Sequence, residues 1–291
     1  MSPRVSVGLP VYNGERFLEH ALRSMQEQDL DDLEIVLSDN GSTDGTEDVG
    51  RAAAKADPRV RYLRSPVNRG GAWNYMAVAR AARGELFTWM AADDVKAPRF
   101  LSSCVAALDD AGPGAVLACS RTSLIDREDV VFERLNDEHM GMDAAAPHER
   151  VRNLLRSQAS HVLYGVMRRD VLRATRGLLP MVGDDMVLLT ELLCRGRMVL
   201  VDDELFYQRR HREQLSHQGH KQVTWHAPAA HLRFAFPQTR LNLQLYRAVA
   251  LAPLPRAEKV RCWAQVGPSW VLPRWRGMAR DVATALGVVH A

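Results

Sequence analysis

The segment TWMAADDV, residues 88–95, is an apolar run that stops on two adjacent carboxylates, Asp93 and Asp94. Residues 86–92 predict a buried strand, opened by Gly84 and closed by charge. Open α/β sheets bind ligands at the C-terminal ends of their strands. Two acids there suit a hard divalent cation, which takes oxygen ligands and bridges phosphates. A solvated acidic turn is written with the same letters, so the flanking sequence has to decide.

Upstream, residues 5–11 read as a first strand, ended by Pro10 and Asn13-Gly14. Phe17, Leu18, Ala21, Leu22 and Met25 then recur at helical spacing. A second strand over residues 34–38 runs into DNGSTDGT, residues 39–46, a loop of turn and N-cap residues that leads into a helix closed by Pro58. Residues 60–63 form a third short strand. Asn68, Gly70 and Gly71 make a glycine loop before a helix over about residues 72–82. The strand that ends at Asp93 follows. Strands alternating with helices predict a parallel sheet with covering helices.

Four stretches carry a resemblance: VSVGLPVYNGERFL, IVLSDNGSTDGT, NRGGAWNYMAVARAARGELFTWMAADD and VGDDMVLLTELLCRGRMVLVDDELFYQRRH. In this order, over roughly residues 4–217, the chain resembles the inverting family 2 glycosyltransferases. The resemblance implies an α/β GT-A fold, Rossmann-like, with a mixed, mostly parallel sheet flanked by helices. It also implies sugar transfer from a nucleotide-diphosphate sugar, UDP- or dTDP-linked by preference, to an acceptor hydroxyl or similar nucleophile. The acceptor itself is left open among glycan, lipid carrier, peptide and natural product.

Transfer of this kind needs a seat for the nucleotide, neutralisation of the leaving diphosphate, and a base for the acceptor hydroxyl. By resemblance, Pro10, Tyr12 and Asn13 pack on the nucleotide base. Asp39 accepts from the base imino N–H, and Asn68 and Arg69 lie on the same rim. Arg69 has the planar fork that suits phosphate. Asp93 and Asp94 occupy the family's metal-binding acidic position, with a departure: the usual first acid is Ala91 here. The shortened form implies Mn²⁺ or Mg²⁺ on Asp94, with Asp93 holding the ribose or a metal-bound water. Asp185 is the implied general base, with Asp184 as the alternative. The family's pattern places a glycine eleven residues after the base, and Gly196 stands there. Arg210 and His211 match the closing arginine-histidine segment near the diphosphate, with His211 completing the metal shell. Tyr164 and Gly165 are assigned to the acceptor side.

The 291 residues suffice for one large α/β domain and an appendage. Four cysteines, Cys104, Cys119, Cys194 and Cys262, lack metal-ligand spacing and read as buried thiols in a reduced, cytoplasmic protein. The first ten residues hold no long apolar core, so no signal peptide is expected. No window approaches the ~20 apolar residues of a membrane span. No nucleic-acid partner is expected.

Charge is unevenly placed. Residues 218–291 hold ten basic residues against two acidic ones, hence +8, so the chain's net +3 leaves −5 on residues 1–217. Four of the six tryptophans, Trp225, Trp263, Trp270 and Trp275, fall in the same tail. A boundary near residue 218 therefore divides a catalytic domain, 1–217, from a basic, Trp-rich helical appendage, 218–291. Pro253, Pro255, Pro268 and Pro273 are expected to break that appendage into short helices. The complementary charges suggest packing on the acidic domain, within one chain or across a homodimer. Peripheral contact with the inner face of a membrane is the other reading.

Rival classes fit less well. A sugar nucleotidyltransferase needs a glycine-rich loop bearing arginine and lysine after the first strand, where this chain has LPVYNGERF. A dinucleotide oxidoreductase needs G-x-G-x-x-G there. A catalytically inactive nucleotide-sugar-binding protein would not need Asp39, Asp93, Asp94 and Asp185 together.

Overall fold

The computed structural model describes residues 2–211 and 236–285. Its N-terminal half alternates as the sequence pattern implies: β1 (Val5–Val11), α1 (Glu15–Gln26), β2 (Leu33–Asp39), α2 (Thr46–Ala56), β3 (Val60–Arg64), α3 (Gly71–Ala81) and β4 (Leu86–Trp89). There follow β5 (Val95–Lys96), α4 (Phe100–Ala111), β6 (Ala115–Ile125), β7 (Val131–Arg134), α5 (Pro147–Ser157), a 3-10 turn (Ser160–Tyr164), β8 (Val166–Arg168), α6 (Arg169–Arg173), α7 (Asp184–Leu193) and β9 (Arg197–Arg209). Among the described residues nine strands form one sheet in the order β3-β2-β1-β4-β8-β6-β9-β5, with β7 on β6. The pairs β1–β2, β1–β4, β2–β3 and β6–β9 are parallel, whereas β8 runs antiparallel to β4 and β6. The sheet is therefore mixed and largely parallel.

Successive strand residues point to opposite faces, and each face is apolar. Val5, Val7, Leu9 and Ile35 meet Leu18, Met25, Phe100 and Leu108 of α1 and α4 on one side. On the other, Val36, Phe87, Trp89 and Leu117 meet Val78, Leu154, Leu188 and Leu192 of α3, α5 and α7. Gly8 permits the close approach of α3: a Cβ there would stand 2.7 Å from Val78 Cγ2.

Two expected boundaries move. The strand expected to reach Asp93 ends at Trp89. Met90 N still donates to Gly8 O (2.9 Å), but Asp94 N then turns back to Ala91 O (3.4 Å). The Lys96 ammonium takes the Trp89 carbonyl (2.9 Å), so Asp93 and Asp94 lie on a turn beyond the ladder. Conversely, the strand expected over residues 198–201 continues to Arg209, paired with β6 through register shifts near Ser120 to Thr122. The acids of VDDELF do not end it: Asp202 and Asp203 are exposed and fall where the register against β6 shifts between Ser120 and Arg121.

The C-terminal residues form α8 (Pro237–Leu251), α9 (Arg256–Val266) and α10 (Trp275–Ala285). Pro253 and Pro255 separate α8 from α9, as expected. Pro268 and Pro273 do not stop the helical path. A π-turn (Gly267–Val271) and a 3-10 turn (Leu272–Arg274) absorb their missing N–H groups, and the run continues into α10. Leu241, Leu245, Val249, Cys262 and Val266 share the apolar core of Leu188 and Leu192, with α8 on α7 and α9 on α5. The expected boundary at residue 218 and Trp225 lie outside the described residues. All four cysteines are buried and free. Among the described residues no helix is long and apolar enough to cross a membrane.

Candidate active site

A cleft of about 630 Å³ opens at the C-terminal ends of β1 and β4. Its lining includes Pro10, Tyr12, Asn13, Asp93, Asp94, Tyr164, Asp184, Asp185, Arg210 and His211. Segments more than a hundred residues apart in sequence thus meet in one space.

The wall beside β1 and β2 is built by two laced loops. Asn13 N donates to Ser42 Oγ (2.9 Å), Gly14 N to Thr46 Oγ1 (2.9 Å), and Thr43 N to Asn13 Oδ1 (2.9 Å). Buried Asn74 of α3 donates to the carbonyls of Val11 (3.1 Å) and Ser38 (3.0 Å), which ties the ends of β1 and β2 together. Tyr12 remains 38% exposed at the rim.

Asp39, Asn68 and Arg69 are not among the lining residues. Asp39 is fully buried. Its carboxylate accepts from Ser42 N (2.8 Å), the Tyr62 hydroxyl (2.9 Å) and Arg64 Nε (3.0 Å). Asn68 Oδ1 accepts from Asn40 Nδ2 (2.9 Å), and Asn40 Oδ1 accepts from Arg69 N (3.0 Å). The Arg69 guanidinium lies over the Trp73 ring, 4.8 Å from its centroid. The glycine loop thus holds Asn40, which does line the cleft.

At the acidic turn, Asp94 is 2% exposed and its Oδ1 accepts from Arg209 N (2.9 Å). Burial, then the charge of Asp93, pushes the Asp94 carboxyl well above its ordinary value. Arg209 itself is buried under Phe17, donating Nε to Asp93 O (2.7 Å) and Nη1 to Asp126 O (2.6 Å). His211 Nε2 meets Asp93 Oδ2 at 3.1 Å. Among the described residues no three His, Cys, Asp or Glu side chains are grouped to hold a metal.

Across β5, buried Lys96 donates to Thr88 Oγ1 (2.8 Å), Trp89 O (2.9 Å) and Tyr164 O (2.8 Å). Burial lowers its ammonium to about 7. The Tyr164 hydroxyl lies 3.1 Å from that of Tyr75, and burial raises both phenols.

The second acidic pair heads α7. Gly183, at φ +81°, turns the chain so that Asp184 and Asp185 open the helix. Asp184 is buried, and burial followed by its neighbour's charge raises it well above the ordinary carboxylate value. Asp185 is raised by burial as well, opposed by hydrogen bonds from Met186 N (2.7 Å) and the Ser160 hydroxyl. A carboxyl held above its ordinary value, yet solvated by the cleft, suits proton abstraction.

Sequence reasoning misses Asn40, Asn74, Tyr75, Ser160, Lys96 and Arg209. Strand parity offers a signal for one of them: Gln208 and Arg210 alternate with Arg209, so Arg210 faces the cleft and Arg209 the interior.

Comparison with known proteins bears on the family and the fold. The family model for glycosyl transferase family 2 matches residues 6–167. A Campylobacter jejuni GalNAc(5)-diNAcBac-PP-undecaprenol beta-1,3-glucosyltransferase is 38% identical over 93 residues, covering 32% of this chain and 30% of that protein. Escherichia coli chondroitin synthase is 32% identical over 128 residues, 43% of this chain and 18% of that one. The chain therefore aligns with about a third or less of these relatives' lengths. Among solved structures, the S. aureus TarS 1–349 fragment superposes with a TM-score of 0.71 at 16% identity, over 99% of this chain and 79% of that one. A Pyrobaculum calidifontis mannosyltransferase in complex with GDP-Man and Mn²⁺ gives 0.54 at 20% identity, over 98% and 86%. At such identities the likeness concerns the fold. With more than half its residues matched by the family model, the chain belongs to glycosyl transferase family 2.

Proposed function

We propose that this glycosyltransferase moves a sugar from a UDP- or dTDP-sugar to an acceptor nucleophile with inversion at the anomeric carbon. The observation that carries the reading is the convergence of two carboxylate pairs, Asp93–Asp94 and Asp184–Asp185, on one cleft. Complexes of TarS with UDP and UDP-GlcNAc support the donor class.

In this reading the base lies against the turn from Pro10 to Asn13 with Tyr12 on its face, and Asn40 supplies polar contacts. Asp39 joins only if Arg64, about one-third exposed, swings off its Oδ2. Asp185 takes the acceptor proton as the new bond forms on the sugar face opposite the leaving diphosphate. No second carboxylate is assigned to a glycosyl-enzyme intermediate, so a single displacement is expected. Asp184 supports Asp185 by accepting its backbone N–H (3.0 Å).

Asp94, with Asp93 beside it, would hold Mn²⁺ or Mg²⁺. Two adjacent acids, one of them buried and raised in pKa, fit a cation that draws its remaining oxygens from phosphates and water. Bound there, the ion would neutralise the departing diphosphate. His211 gives its Nε2 to Asp93, so a place in the metal shell would use its Nδ1 or need Nε2 to exchange from that carboxylate, whereas Arg210 lines the cleft where phosphate would lie.

A thermal-shift panel of UDP-, dTDP- and GDP-sugars, with and without Mn²⁺, tests donor and metal together. A selective ligand raises Tm by mass action. Stabilisation by UDP- or dTDP-sugars that depends on Mn²⁺ is expected. NMR of the product tests the displacement, and a retained anomeric configuration would sink it.

A further inference from the structure

Of the C-terminal helices, α8 packs on α7, α9 on α5 and α10 on α8, and each leaves residues in solvent. Within residues 236–285, eight basic residues stand against two acids, Glu258 and Asp281. Both acids are consumed internally. Glu258 takes His148 N (3.1 Å) and Nδ1 (2.6 Å), and buried Asp281 accepts from Thr239 N (2.8 Å) and Oγ1 (2.9 Å). What faces outward is cationic.

It is also apolar. Seven of the thirteen exposed large hydrophobic side chains among the described residues fall on this 50-residue segment, far above an even share. They recur at helical spacing. Leu272, Trp275, Ala279 and Val282 form one exposed stripe, flanked by exposed Arg276 and Arg280. On α8 the exposed stripe reads Arg240, Leu243, Arg247, Leu251.

We propose that the exposed stripe of Leu272, Trp275, Ala279 and Val282, with Arg276 and Arg280 beside it, docks on an anionic lipid bilayer, lying in the headgroup plane. Interleaved arginine and apolar side chains with an exposed tryptophan match an interface that is negative at its surface and greasy beneath. Arginine stems bury along the acyl boundary while their heads stay with the phosphates. A second copy of the chain is a poorer match, because homodimer interfaces have an apolar centre depleted of charge. This docking is separate from nucleotide-sugar chemistry and stands or falls without it.

Flotation of the whole protein with phosphatidylcholine vesicles, with and without phosphatidylglycerol, tests the proposal. Binding to the anionic vesicles alone, weakened by salt, is expected. Arg276→Gln with Arg280→Gln lowers the partition about 30-fold, equivalent to about 2 kcal/mol for two surface cations. Trp275→Ser weakens it as well. These positions are exposed, and an unchanged Tm and nucleotide-induced thermal shift would show that fold and cleft are intact. Absence from anionic vesicles at low salt, or wild-type partition of the double variant, overturns the proposal. A sedimentation dimer dissolved by Trp275→Ser, with no vesicle binding, overturns it in favour of a second copy.

Discussion

Gly183→Ala should damage catalysis and stability through two separable effects. The residue sits at φ +81°, where a side chain costs ~1–2 kcal/mol. Its new Cβ would also stand 2.6 Å from Leu241 Cδ2 of α8, and overpacking of this kind adds ~1–3 kcal/mol. The total is about 2–5 kcal/mol, to be read from urea unfolding. The two parts separate in a cycle with Leu241→Ala. That change alone costs ~2–5 kcal/mol for a buried leucine. It also removes the methyl that clashes, so the double variant should be less destabilised than the sum by ~1–3 kcal/mol. Because Asp184 and Asp185 follow immediately, kcat should fall by ~10²-fold for a shift of about 1 Å. Donor affinity should hold within a few fold, since Tyr12, Asp93 and Asp94 stand on other segments. Strict additivity in the cycle, or lost donor binding with intact kcat, would refute the coupling of α8 to the α7 acidic pair.

Asp185→Asn should leave the nucleotide-induced Tm shift intact and lower kcat by ~10²–10⁴-fold; full activity there with a dead Asp184→Asn would move the base by one residue. The acidic limb of kcat against pH should lie above the ordinary carboxylate value, because burial raises Asp185. Ser160→Ala removes a hydrogen bond that favours the charged form, so that limb should move further alkaline; an unmoved limb would detach Ser160 from the base. Asp94→Asn should abolish Mn²⁺-dependent donor binding yet raise Tm without metal at neutral pH. The folded pKa of Asp94 is raised, so the folded state binds more protons than the unfolded one above pH 3.8 and loses stability as pH rises through the folded value. The gain in the variant should vanish below that window. An equal gain in Tm at every pH would detach it from the Asp94 proton.

Most of the N-terminal scaffold is legible because its signals are local. Strand patterns, Asn13-Gly14, the DNGST loop and Pro58 all act within a few residues. The cleft acids Asp93, Asp94 and Asp185 emerge from motif order. What escapes depends on distant neighbours. Asn74 looks like any helical asparagine until β1 and β2 arrive with carbonyls to be paired. Ser160 is silent until its turn lands beside Asp185. Trp89 ends its strand early because a lysine seven residues on claims its carbonyl. Proline propensity alone misjudges the helical path through Pro268 and Pro273, because the π-turn that accommodates them leaves no mark in the letters.

The Lys96 ammonium joins the strand leading to the acidic turn to the backbone of Tyr164. Such a strut makes two walls of the cleft one mechanical body. A swing that widened the space at Tyr164 would have to break a hydrogen bond in a dry interior, or else drag the β4 end and Asp94 along with it. In the proposed reaction, donor and acceptor would therefore meet a cleft whose width at this point is set by Lys96.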